Sequence, residues 1–173
     1  LLEESLQQGA FGFSTGLEYW PGSQATPQDL LPLCRTAARH DVLYATHVRN
    51  RDRFYDVAFI EALATAREAG ARLQISHIQP KFGAPAGAMQ HTLELIRLAR
   101  QQGVDVAFDV IPHEWAHTRM MAILPQWAHE GGVERVIERL QDPDLRERMK
   151  DNPKAMWQLV PAGRWEEIVL LHS

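Results

Sequence analysis

The sequence predicts an α/β fold built on a parallel sheet, the middle strands of an incomplete (β/α)8 barrel. Two observations carry that reading. Candidate strands and helices alternate at a near-constant spacing, and two successive candidate strands end in histidine, His47 and His77.

The elements follow in order. Leu2 to Gly9 reads as the end of a helix, an opening that, with no initial methionine, predicts a truncated chain. Ala10 to Gly16 is a short apolar run and a candidate buried strand. The Gly/Pro-rich stretch Tyr19-Trp20-Pro21-Gly22-Ser23 reads as a loop. Thr26-Pro27-Gln28-Asp29 is a helix start: Thr26 can cap, Pro27 suits the first helical position and Asp29 the first turn. That helix is expected to reach about His40. Leu43 to His47 is the next strand. Asp52 to Ala69 is strongly helical, with Val57, Ile60, Leu63 and Ala64 on one face, and Gly70 stops it. Leu73 to His77 is a third strand, Ala86 to Gln102 a helix stopped by Gly103, and Asp105 to Val110 a fourth strand.

After Pro112 the pattern changes. Residues 118–160 read as short helices rich in Trp, Glu and Arg, an insertion over about 113–160, and Trp165 to Leu171 as another strand. All of 1–173 is thus expected to be part of one barrel domain. Parallel strands need a crossover of a dozen or more residues, normally a helix, so this alternation implies a parallel sheet with helices outside it. The period alone allows an open doubly wound sheet or a closed barrel. A whole barrel takes about 250 residues, so four or five strands here would be part of one.

The bulk numbers narrow the function classes. Hydrophobic residues make up 45% and charged residues 23%, ordinary for a soluble globular protein. The net charge of −4 argues against a nucleic-acid role, which needs a concentrated basic face. No apolar run approaches the roughly 18–20 residues that span a membrane. The single cysteine, Cys34, cannot form a disulfide within the chain. That fits a reducing, cytoplasmic compartment, though one cysteine does not exclude export.

His47 and His77 carry the chemistry. Counting by two, Leu43, Ala45 and His47 share a face, as do Leu73, Ile75 and His77. Each histidine then sits at the C-terminal end of its strand, where α/β barrels build active sites. Neighbouring strands lie about 5 Å apart, so the two imidazoles can share one metal ion, and zinc takes such nitrogen ligands. The plainer reading is two satisfied rim histidines. Asp109 and His113, at or beyond the next strand's end, are further site residues or a strand-end cap.

A competing motif is His113-Glu114-Trp115-Ala116-His117, which matches the H-E-x-x-H zinc protease pattern. It requires one continuous helix through 110–120, with Glu114 as general base. Its context is poor, because it directly follows a candidate strand and Pro112. Glu134 or Glu138 would have to supply a third ligand, and nothing singles them out.

Several strings occur together in order: Gly12-Phe13-Ser14-Thr15-Gly16-Leu17-Glu18-Tyr19 with Pro21-Gly22, Ala45-Thr46-His47-Val48-Arg49, Ile75-Ser76-His77, Asp109-Val110-Ile111-Pro112-His113, and Leu124-Pro125-Gln126-Trp127 with Gly131-Gly132. This series resembles the N-acyl-D-amino-acid deacylases (D-aminoacylases) of the amidohydrolase superfamily across nearly the whole chain.

The resemblance implies a metal-dependent barrel in which His47 and His77 are zinc ligands on the fifth and sixth strands. The substrate it implies is a small-molecule N-acyl amino acid. The remaining ligands and a catalytic aspartate are expected outside the 173 residues, the aspartate beyond residue 173, and Cys34 is not the family's cysteine. The implied mechanism is metal-assisted amide hydrolysis, with zinc lowering the pKa of a water to about 7 and an aspartate moving its proton. Arg49 and Tyr19 are candidates for substrate positioning, Arg49 because a guanidinium can hold a carboxylate bidentately. Equally, Arg49 suits a structural ion pair and Tyr19 loop packing.

Asn50-Arg51-Asp52, Gln79 and His113 depart from the family pattern near the substrate, which points to a sister group with a different N-acyl substrate. The other readings are the zinc protease and a barrel segment that is inactive by itself.

Overall fold

The computed structural model describes residues 1–81, 83–113, 117–150 and 169. They fall into two compact units, the first made of residues 1–80 and 84–114, the second of 81–83 and 115–173. The division falls close to where the insertion was expected to begin, at about residue 113.

The first unit alternates helix and strand: α1 (Leu2–Gln7), β1 (Gly12–Gly16), α2 (Pro27–Arg39), β2 (Leu43–His47), α3 (Tyr55–Ala69), β3 (Arg72–Ile75), α4 (Ala88–Gln101) and β4 (Val106–Phe108). The four strands form one parallel sheet in sequential order, β1-β2-β3-β4. Crossovers of one hand between sequential neighbours put every helix on the same face. A doubly wound sheet reverses its order to cover both faces. Sequential order is therefore what a barrel segment shows.

Local chemistry sets the helix ends. Thr26 and Asp29 form a full capping box at the start of α2, with Thr26 N–H donating to the Asp29 carboxylate at 2.8 Å. Gly70 closes α3 in the left-handed conformation. α3 begins at Tyr55, three residues later than the pattern suggested (55 against 52), because the Asn50 side chain accepts from the N–H groups of Asp52 and Phe54 and holds that stretch as a turn.

The sheet has two unlike faces. Tyr44, Thr46, Leu73, Ile75 and Val106 pack against Cys34 of α2, Tyr55, Phe59, Ala62 and Ala66 of α3 and Ile96 of α4. Phe13 stacks on Tyr44, centroids 4.7 Å apart. Burying side chains of this size contributes roughly 1.5–3 kcal/mol each. Apart from Leu43 at the start of β2, the other face carries small or polar side chains: Ser14, Ala45, His47, Gln74 and Ala107.

The second unit holds two short 3-10 turns, Met120–Ile123 and Gln126–His129, then α5 (Val133–Gln141) and α6 (Pro143–Lys150). Val136 and Met149 are buried, and the Arg148 guanidinium lies 4.4 Å from the Trp127 ring centre. The short helices expected after residue 118 are present as far as 150. The strand expected over 165–171 lies, Val169 apart, outside the described residues. Among the described residues, no helix is long and apolar enough to cross a membrane.

Candidate metal centre

β2 ends at His47, which closes the ladder with β1 opposite Gly16. One further bond, Leu17 N–H to the His47 carbonyl at 3.0 Å, carries the first strand's pairing past its end. The next residue, Glu18, lays its carboxylate against His47 Nε2 at 2.6 Å. Both side chains are nearly enclosed, 12% exposed for His47 and 11% for Glu18.

His77 reaches the same place by another route. β3 stops at Ile75, two residues short of the expected end at 77, and Thr46 pairs with Ile75. Extending that register puts Ser76, not His77, beside His47. Strict alternation would therefore aim His77 at the opposite face, which corrects the shared-face argument made from the sequence. A positive φ of 38° at His77 turns its side chain back. That conformation costs a non-glycine residue roughly 1–2 kcal/mol. The backbone around it is held from several sides. Asp109 accepts from His77 N–H at 2.6 Å, Arg51 donates to the His77 carbonyl at 2.8 Å, and the Tyr55 hydroxyl donates to the Ile78 carbonyl.

The two imidazoles meet edge to face, with His47 Nδ1 3.1 Å from His77 Nε2. Two nitrogens on one tetrahedral zinc, each about 2.0–2.1 Å from the ion, lie about 3.3 Å apart. The observed pair fits that spacing, and the donor type fits zinc. His77 Nδ1 is buried with no hydrogen-bond partner. Burial lowers the His77 pKa, as do the charges of Arg51 and His47, which favours the neutral imidazole that binds metal. Among the described residues, no group of three or more His, Cys, Asp or Glu could hold a metal ion. Glu18 sits on the far nitrogen of His47, away from the His77 side.

The other sequence candidates divide. Tyr19 packs beside His47, ring centroids 4.8 Å apart. Arg49 turns away into a structural cluster. It forks onto Glu61 at 2.9 Å from both Nε and a terminal nitrogen, and donates to the carbonyls of Ser23 and Ala25. This is the ion-pair alternative weighed from the sequence, and it ties the 18–25 loop to α3. Asp109 serves as the strand-end cap, accepting from Gln74 as well as from His77. Cys34 is fully buried on α2 in the helix-side core.

Residues 110–112 and 117–119 carry no helix, and His113 lies in a bend. The continuous helix needed by the H-E-x-x-H reading is therefore missing among the described residues. Glu114, Trp115 and Ala116 lie outside them. Glu134 and Glu138 are exposed on α5, and Glu138 pairs with Arg135 at 2.6 Å.

Two site residues escaped the sequence reading. Glu18 lay within the first motif without being singled out, and its only signal was an acid just beyond a strand end in register with a histidine. Arg51 is buried and makes no ion pair with a carboxylate among the described residues, and burial lowers its pKa. Its sole signal was its departure from the family pattern.

The chain is 39% identical over 118 residues to an N-acyl-D-glutamate deacylase of Alcaligenes xylosoxydans xylosoxydans, covering 68% of this chain and 24% of that protein. Its fold matches the crystal structure of N-acyl-D-glutamate deacylase from Bordetella bronchiseptica, complexed with zinc and a phosphonate mimic of the tetrahedral intermediate. The TM-score is 0.62 at 39% identity, over 65% of this chain and 24% of that one. A D-aminoacylase structure described as defining a novel subset of amidohydrolases matches with a TM-score of 0.57 at 31% identity, over 64% of this chain and 23% of that one. No family model matches. The resemblance to the N-acyl-D-amino-acid deacylases is thus shown over about two thirds of the chain, and with it the parallel α/β sheet of an incomplete barrel. The chain spans about a quarter of the length of the relatives it matches.

Proposed function

We propose that this chain is part of a zinc-dependent deacylase of N-acyl-D-amino acids, with His47 and His77 holding the metal. The observation that carries this reading is the 3.1 Å approach of His47 Nδ1 to His77 Nε2 at the C-terminal edge of the sheet. The likeness to deacylases supports it, one of them solved with zinc.

When bound, zinc would polarise the amide carbonyl and activate water at neutral pH. The chain's own residues prepare for that. The strained backbone at His77 and the carboxylate of Glu18 aim two imidazoles at one point. Tyr19, its ring tilted against that of His47, borders the place where an acyl substrate would lie. Arg49 acts at one remove, by anchoring the loop that carries Glu18 and Tyr19. The further ligands and the proton-transferring aspartate are assigned to residues outside these 173. On that reading the chain alone hydrolyses nothing, and zinc-dependent turnover by it would overturn the assignment.

The test is zinc content of the complete protein. A His47→Ala/His77→Ala variant is expected to lose metal, while a His113→Ala/His117→Ala variant keeps it and still deacylates N-acyl-D-amino acids. Loss confined to the second variant would remove the barrel site and return the protease reading. A complete, zinc-loaded protein inactive on N-acyl-amino acids of either hand would end the deacylase reading.

A further inference from the structure

We infer that Glu18 is the positioning residue of this site: its carboxylate holds the proton of His47 on Nε2 and so presents the Nδ1 lone pair toward His77. The inference rests on the metal reading above but concerns a contact within the chain that exists without any ion.

A carboxylate only accepts hydrogen bonds, and a neutral imidazole carries one N–H and one lone pair. With Glu18 Oε2 2.6 Å from Nε2, the His47 N–H belongs on Nε2. Nδ1 is left as the acceptor, and it is Nδ1 that lies 3.1 Å from His77 Nε2. Metal-bound histidines commonly donate their second ring N–H to a carboxylate in this way, which fixes tautomer and ring orientation together.

The loop around Glu18 is built to hold the carboxylate there. Leu17 N–H is bonded to the His47 carbonyl, so Glu18 leaves the sheet directly above the histidine it contacts. Ser23 N–H donates to the Tyr19 carbonyl at 2.7 Å, and Arg49 grips the carbonyls of Ser23 and Ala25. Gly22 passes so close to Gly16 that a Cβ there would lie 2.3 Å from the Gly16 carbonyl oxygen. Glu18 is also nearly enclosed at 11% exposure.

The experiment is histidine-selective 15N NMR of the complete protein at about pH 8, well above the ordinary imidazole range, paired with zinc titration against a chromophoric chelator. In the unsubstituted protein His47 is expected to be protonated at Nε2 before zinc is added, and Nδ1 is expected to be the nitrogen that shifts on addition. In Glu18→Ala the single tautomer gives way to a mixture, and zinc binds about 10–100-fold more weakly. Glu18→Gln, which can accept or donate, falls between.

Protonation of His47 at Nδ1, or metal on Nε2, in the unsubstituted protein overturns the inference even if Glu18→Ala fails to fold. So does a Glu18→Ala variant that matches it in both readouts. If the complete protein binds no zinc yet His47 is held as the Nε2–H tautomer by Glu18, the positioning role stands and the metal reading falls.

Discussion

His47 and His77 touch edge to face with ring centroids 4.5 Å apart, although the sheet register sets Ser76, and not His77, beside His47. The contact depends on the left-handed backbone of His77, and that backbone depends on Asp109, whose carboxylate accepts from His77 N–H at 2.6 Å and from the Gln74 side chain at 2.8 Å.

Removing that carboxylate leaves a backbone donor without its partner and releases the strain at His77. Because these bonds are exposed and water can replace the lost carboxylate, Asp109→Ala is expected to lower unfolding free energy by only about 0.5–1.5 kcal/mol in a urea titration. Zinc affinity should fall with it, although Asp109 lies on neither of the facing nitrogens. Wild-type zinc binding in this variant would show that His77 holds its place unaided.

Arg49 allows a sharp test between support and substrate contact. Its pair with Glu61 is only partly enclosed, at 30% and 16% exposure, so solvent screening moderates its worth. Arg49→Ala is expected to cost about 1–3 kcal/mol of stability. Arg49→Lys should recover little, because an ammonium cannot reproduce the fork onto Glu61 together with two carbonyl contacts. A stable variant whose only defect in the complete enzyme was a raised KM would assign Arg49 to the substrate instead.

The crowding at Gly22 predicts an asymmetry between two glycines. Gly70→Ala meets no atom within 4 Å but must hold φ near 67°, so it should cost about 1 kcal/mol. Gly22→Ala drives a methyl group to 2.3 Å from the Gly16 carbonyl oxygen, so the loop must shift. It should cost more than Gly70→Ala in thermal melts and should also disturb the His47 ring signals, which Gly70→Ala leaves alone. Equal effects would mean the loop yields freely.

Burial pushes the Cys34 thiol from 9.0 up to about 12. In the native chain Cys34 should therefore resist a water-soluble thiol reagent at pH 8 and react fully once unfolded. The raised folded-state pKa also sets a direction for stability. The contribution is complete below pH 9 and is lost progressively as the pH climbs toward 12, because the unfolded chain releases the proton first. Rapid labelling of native protein would contradict the packing of α2 on β2.

Much of this architecture was readable in one dimension. Helix caps such as Thr26 with Asp29, stops such as Gly70, and the repeat of apolar strand and amphipathic helix are local signals, and the parallel sheet followed from them. His47 and His77 stood out because each closes such a unit, and the ordered motifs pointed to a deacylase. The contacts that make the site were not readable in this way. A parity count along β3 presumes an unbroken strand, and it failed at His77 because one residue with positive φ reverses the side chain's direction. Glu18 on His47, and Arg49 on Glu61, join residues 29 and 12 positions apart. Hydrogen bonds between such residues depend on how loops close over the sheet edge, and local periodicity carries no record of loop closure.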